Sequence, residues 1–138
     1  MRVRMISQEF VTKVLDGSKP HTIRPTPWEE GQLYSLRVWT GKPYRSKQRE
    51  IGVIECTRTE QIIIGYEGIL RRDSEDQPRM RKVTDPADRE ELDRLAKADG
   101  FDEGWPQMLG WFAARYQLPF EGYINHFKVV EPNTERSE

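Results

Sequence analysis

Gly17 and Pro20 mark the point that most constrains how this chain can fold. Before them, Ser7 is a good N-cap, Glu9 suits a first helical turn, and Phe10, Val11, Val14 and Leu15 form one apolar stripe. Residues 8–16 therefore read as a short amphipathic helix. Gly17 is placed to end it in the left-handed C′ position, and Pro20 pushes Lys19 into extended geometry. A helix must stop and a strand begin within Gly17-Ser18-Lys19-Pro20-His21-Thr22-Ile23-Arg24. That stretch is denser in hydrogen-bonding and cationic groups than a plain connection needs. In a regular strand Lys19 and Thr22 point to opposite faces, whereas Thr22 and Arg24 share one. The lysine joins them in a pocket only if the chain bends near Pro20.

The remaining elements follow from periodicity. Residues 2–6 alternate and read as a short strand. Residues 33–40 form a strong one, with Tyr34, Leu36 and Val38 on its apolar face and Ser35, Arg37 and Trp39 on the other. Residues 51–57 and 61–64 read as two further strands and 121–130 as a closing one. Between 65 and 83 mixed charges defeat any core pattern, and a solvated hairpin tip or mobile loop is expected. Asp85-Pro86 opens a helix whose buried edge is Leu92, Leu95 and Ala96, supported by Glu90–Arg94 and Asp93–Lys97 at i, i+4. A second helix runs from near Trp105 to about Tyr116, with Trp105, Trp111 and Phe112 in the core. Strand, helix, several strands, two helices and a strand predict an α+β domain around a small, barrel-like sheet.

At 138 residues one domain is expected. No apolar run approaches the roughly 20 residues of a membrane span, and the first residues lack the apolar region of a signal peptide. The single cysteine, Cys56, excludes an internal disulfide and suits a reducing, cytoplasmic setting. Its place in a β-like run reads as a buried structural thiol. His21, His126 and Cys56 show no ligand spacing, so neither a metal nor a cofactor is expected. The net charge of −1 hides an asymmetry: residues 1–49 hold ten Lys/Arg against four Asp/Glu, and the remainder 12 against 19. A basic face built from the N-terminal half suits a short or local nucleic-acid ligand better than a long duplex. Lys42, Tyr44, Arg45 and Lys47 interleave cations with an aromatic, the composition of an RNA-contacting loop as well as of a plain solvated one. Trp39, beside arginine, is a stacking candidate, while Trp28 reads as packing under the proline-rich loop. Arg24 suits a phosphate or carboxylate through its fork of donors, or a structural ion pair with Glu29 or Glu30. His21 either contacts a base or covers the barrel rim.

Gly17-x-Lys19-x-x-Thr22-x-Arg24 resembles the signature of the ASCH domain, a branch of the PUA-like fold. Other features occur in the family's order: a preceding Val14-Leu15-x-Gly17, the strand Leu33-x-x-Leu36, Asp99-Gly100-Phe101, a helix with Trp111-Phe112 and Tyr116, and a last strand ending in Phe127. The resemblance takes residues 1–131 as one domain with a polar segment inserted at about 65–90, and leaves 132–138 as a polar tail. It implies a PUA-like small β-barrel flanked by helices, with a cleft for RNA or a modified nucleoside. Some bacterial members are acetylcytidine amidohydrolases that use a lysine, a threonine and a glutamate. By that likeness Thr22 would be the nucleophile, Lys19 the base and Asp99 the acid, one methylene shorter than the family's glutamate. Other members are ribonucleases or RNA-binding modules; a ribonuclease here would be metal-independent, with Lys19 and Arg24 stabilising phosphate charge. The base role needs a neutral Lys19, hence burial or neighbouring cations that lower its pKa. The plain alternatives are a solvated lysine, a strand hydroxyl and an Asp-Gly turn. Hydrolysis requires Lys19, Thr22 and Asp99 to converge in a closed pocket, whereas binding needs only an open basic groove reaching Tyr44 and Arg45.

Overall fold

In the computed structural model, which describes residues 1–72 and 79–133, the chain leaves its first helix at Gly17 as expected. A 3₁₀ turn (Gln8–Phe10) runs into α1 (Val11–Leu15). Gly17 then takes φ +87° and donates its N–H to Val14. Lys19 turns back to donate its backbone N–H to Lys13, and the chain enters β2 (His21–Arg24). The preceding strand, β1 (Arg2–Met5), lies parallel to β3 (Leu33–Trp39). Parallel neighbours need a crossover, and the segment holding α1 and β2 supplies it.

The two strands expected at 51–57 and 61–64 are one long strand, β4 (Gln48–Gly65), with bulges against its partner near residues 53 and 57. The polar interruption at Arg58 and Glu60 is not a turn. Glu60 has partners on neighbouring strands and Arg58 donates to Glu60 along the same strand, so the backbone continues through them. β4 pairs with β3 and then β5 (Gly68–Arg71) along one edge and with β7 (Phe120–Pro132) along the other. Within residues 65–83, expected to be a solvated hairpin tip or mobile loop, β5 pairs with β6 (Arg79–Lys82); the part of that expectation at 73–78 lies outside the described residues. Arg71 and Arg81 mislead because both find acidic partners in the fold. Arg81, almost fully buried, pairs with Glu91 at 2.8 Å, and Arg71 pairs with Glu60.

α2 (Pro86–Ala98) starts at Asp85, whose carboxylate accepts from the Ala87 and Asp88 N–H groups, with Pro86 in the first turn. Glu90–Arg94 forms as expected at 3.7 Å. Asp93 instead caps α3 (Trp105–Arg115), accepting the Trp105 N–H at 2.8 Å. Leu92, Leu95 and Ala96 are buried against a core that includes Tyr34, Ile54, Ile64, Met108 and Ile124. Trp28 is buried beneath the proline-rich loop, and Cys56 is a buried thiol. No helix among the described residues is long and apolar enough to cross a membrane.

The α+β class stands, but the seven-stranded sheet does not close into a barrel. The sheet branches at β4 and ends in β1, β2 and β6, and among the described residues no ladder joins β1 to β2. β2 is four residues long and its ladder runs to β7 alone. The gap is spanned by a side chain: Arg24 Nη2 donates to the Met5 carbonyl at 2.8 Å. This opening between the sheet ends is where the polar residues gather.

Candidate functional site

Lys19 is buried, with a relative exposure of 2%. Its ammonium donates to Asp99 Oδ1 at 2.9 Å and also to the Asp99 backbone carbonyl. His21 Nδ1 lies 3.1 Å from the same carboxylate oxygen. Asp99 caps the C-terminal end of α2 and Gly100 follows at φ +107°. The Asp-Gly turn at the end of α2 aims the Asp99 carboxylate inward, toward Lys19 and His21. Burial alone would raise the Asp99 carboxyl. The Lys19 charge and the His21 hydrogen bond outweigh it and hold the group below the usual carboxylate range. Burial pulls the Lys19 ammonium below its ordinary value; Asp99 opposes this, while Arg24 and Lys13 add to it.

Two cavities meet at this opening. The inner one, of about 20 Å³, is lined by Lys19, Thr22, Arg24 and Asp99 together with Phe10 and Trp111. Lys19 and Thr22 share it because Lys19 lies before β2, just after the turn at residues 16–18, and is outside the strand's alternation. A volume near 20 Å³ admits about one water-sized group. The outer concavity, of about 370 Å³, is lined by Trp39, Arg24, Gln8 and Pro43 and lies in the range of small-ligand pockets. Ile6, Ser7 and Arg24 line both. Gln8 Nε2 donates to the Trp39 carbonyl at 2.7 Å and fixes that strand end. Tyr44, at φ 64° and 88% exposed, leans on Trp39 with ring centroids 5.1 Å apart.

Lys42, Arg45 and Lys47 stand on the exposed loop beside Trp39 and do not line the concavity, which takes only Gly41 and Pro43 from that loop. Their backbones order it: Lys42 O accepts from Arg45 N–H and Ser46 Oγ, and Lys47 O from Thr40. Arg24 pairs with the Met5 carbonyl rather than with Glu29 or Glu30. Trp111, expected in the core, is half-buried and lines the inner cavity, with the Arg115 guanidinium 4.1 Å above its ring. Its indole N–H is buried without a hydrogen-bond partner among the described residues.

Sequence reasoning missed a second polar cluster. Glu60 is buried on β4 and accepts from His126 Nε2 at 2.7 Å, from Arg71 Nε and Nη2 at 2.9 and 3.0 Å, and from Arg58 at 3.1 Å. The one signal was the Arg58-x-Glu60 pair between the apolar runs of residues 51–54 and 62–64. Burial would raise the Glu60 carboxyl, but His126, Arg71 and Arg58 overcome this and hold it at about 2 against an ordinary 4.5. A carboxyl lowered in the folded state contributes stability that is complete above its unfolded pKa and is lost as pH falls through the folded one. Glu60→Gln is therefore expected to lose about 3 kcal/mol at neutral pH. That deficit closes as pH falls from 4.5 to about 2. Urea unfolding midpoints across the window measure it, and a deficit independent of pH contradicts the account.

The chain matches no protein-family model and no curated protein. Among solved structures it is similar to protein EF3133 from Enterococcus faecalis V583, described under the family model DUF984. The TM-score is 0.55 at 18% identity, covering 97% of this chain and 78% of that one. At that identity the likeness shows a shared fold.

Proposed function

We propose that this chain is an ASCH-type, PUA-like domain that binds RNA or a modified nucleoside in the cleft beside Lys19, Thr22 and Arg24. One observation carries the reading: a nucleoside-sized concavity walled by Trp39 opens, at Ile6, Ser7 and Arg24, onto a small cavity of buried polar groups. A base lies against Trp39, and an exocyclic substituent reaches toward Lys19, Thr22 and Asp99. Arg24, already oriented by Met5, supplies donors at the junction. The exposed cations of the 42–47 loop hold phosphate when the ligand is a strand.

A second reading, an amidohydrolase of an acylated cytidine-like nucleoside, is supported by the buried Lys19 with its lowered pKa in one cavity with Thr22 and Asp99. Thr22 Oγ would add to the acyl carbonyl carbon, its proton passing to neutral Lys19, and the C–N bond would break as the leaving amine is protonated. Water would then release the acyl group from Thr22. In the present structure Lys19 is held as a donor to Asp99 and the cavity admits one small group, which favours binding as the first reading.

Equilibrium binding of acetylcytidine and of a short single-stranded RNA tests both. Trp39→Ala is expected to weaken binding about 5- to 150-fold, the worth of one base stacked on an aromatic. Thr22→Ala retains binding and abolishes any release of acetate. RNA cleaved without metal and spared in Lys19→Ala would transfer the site to the ribonuclease class. Affinity indifferent to Trp39→Ala, or no binding of either ligand, removes the proposal.

A further inference from the structure

The chain has two histidines, and the fold sets them against each other between two buried carboxylates. His21 on β2 and His126 on β7 are direct partners across the antiparallel ladder, so their side chains leave the same sheet face. Their rings meet edge to face at 5.3 Å and 79°. Each turns one nitrogen to its own acid: His21 Nδ1 to Asp99 and His126 Nε2 to Glu60. A carboxylate paired with a cation can only accept, so those nitrogens carry the protons and the tautomers are fixed. Arg71 and Lys19 supply the cations at the two ends.

The result is a row of polar contacts across the sheet: Arg71 on β5, Glu60 on β4, His126 on β7, His21 on β2, then Asp99 and Lys19. α2 holds both ends, with Glu91 4.0 Å from Arg71 and Asp99 as its cap. Glu91 and Asp99 are about 12 Å apart along the helix at about 1.5 Å per residue. Every link is a hydrogen bond or ion pair except the ring contact between the histidines.

We propose that Glu60 and His126 are positioning residues for the Lys19–Asp99 pair: Glu60 fixes the His126 ring, and that ring is the wall that keeps His21 aimed at Asp99. Arg58 Nη2 lies 3.3 Å from His126 Nε2 and donates to the same Glu60 oxygen at 3.1 Å. The carboxylate that orders the site from behind thus lies two strands away from it, outside both cavities. Functional use of this order rests on the cavity being a ligand site. The test below uses ligand-free protein, so its failure leaves the nucleoside reading intact.

Long-range proton–nitrogen NMR resolves the two imidazoles without ambiguity of assignment once one is mutated. In the wild-type chain His21 is expected as the Nδ1–H tautomer and His126 as Nε2–H; any other pair overturns the proposal. In Glu60→Gln, His126 becomes a tautomer mixture and so does His21. Solvent exchange of the His21 Nδ1 proton then rises about tenfold as the local contact opens. Acylation of Lys19 by an amine reagent, read by mass spectrometry against Lys42 in the same molecule, rises in parallel. Should Glu60→Gln not fold, His126→Ala removes the wall directly and predicts the same changes at His21 and Lys19. A variant in which His126 changes while His21 and Lys19 keep their wild-type signals assigns Glu60 to its own strand alone and overturns the proposal.

Discussion

Asp99→Asn is expected to cost about 3–5 kcal/mol at neutral pH, because it leaves the Lys19 ammonium buried without its counter-charge. The side chains of this pair are only 2% and 5% exposed, so water cannot replace the lost carboxylate. The lysine can escape only by losing its proton. From its ordinary 10.5, neutralisation at pH 7 costs about 5 kcal/mol, which sets the ceiling on the loss. The sign of the pH dependence follows. A cation whose folded pKa is depressed destabilises below that pKa, and the penalty is relieved as pH rises toward the unfolded value. The variant therefore recovers stability toward pH 10.5, where the wild-type chain gains less. The double variant Lys19→Met/Asp99→Asn is expected to lose clearly less than the sum of the single changes. Denaturant unfolding of the four chains in one cycle measures this, and additivity within about 0.5 kcal/mol would falsify the pairing.

Gly100→Ala carries the second large effect. Gly100 sits at φ +107°, and a Cβ built there lies 2.6 Å from Phe10 Cδ1 and 3.3 Å from Lys19 Cδ. Its carbonyl also accepts from Lys13 Nζ at 2.9 Å, so the backbone cannot move without breaking that bond. Overpacking of about 1–3 kcal/mol adds to a left-handed backbone cost of about 1–2 kcal/mol. A total loss of about 2–5 kcal/mol is expected. Gly17→Ala is the control: φ is +87°, yet nothing lies within 4 Å of its built Cβ. It should lose only the conformational part, about 1 kcal/mol. Equal losses at the two glycines, measured by denaturant midpoints, would refute the packing argument at Gly100. A Gly100→Ala chain that folds is also expected to bind ligand more weakly, since Lys19 shares the crowded contact.

The chain's expected strand endings and the apparent absence of partners at Glu60 show where reading by pattern loses hold. Arg58 and Glu60 look like a break between two strands, because alternation weighs each side chain by its own polarity. Their partners are Arg71 and His126, and the latter is 66 residues from Glu60. The 65–83 segment misleads in the same way: its arginines are charges on a surface until Glu91 and Glu60 are placed against them. Trp39 fared better. Strand alternation put it opposite Tyr34, Leu36 and Val38, and it does wall a concavity rather than fill the core. Trp111 has no such marker, since helical spacing gives a cavity wall and a core residue the same period.

What the sequence determined by itself is the set of local backbone decisions: the helix stop at Gly17, the extended entry after Pro20, the helix start at Asp85-Pro86 and the turn at Asp99-Gly100. Each is dictated by φ preferences and caps within a few residues, so no distant contact is needed to fix it. Only the tertiary structure decided that Lys19 meets Asp99 across 80 positions, that His21 meets His126, and that the sheet stays open between β1 and β2. Those outcomes depend on which buried charges find partners and which strand edges find ladders, and neither is encoded in any short window of the chain.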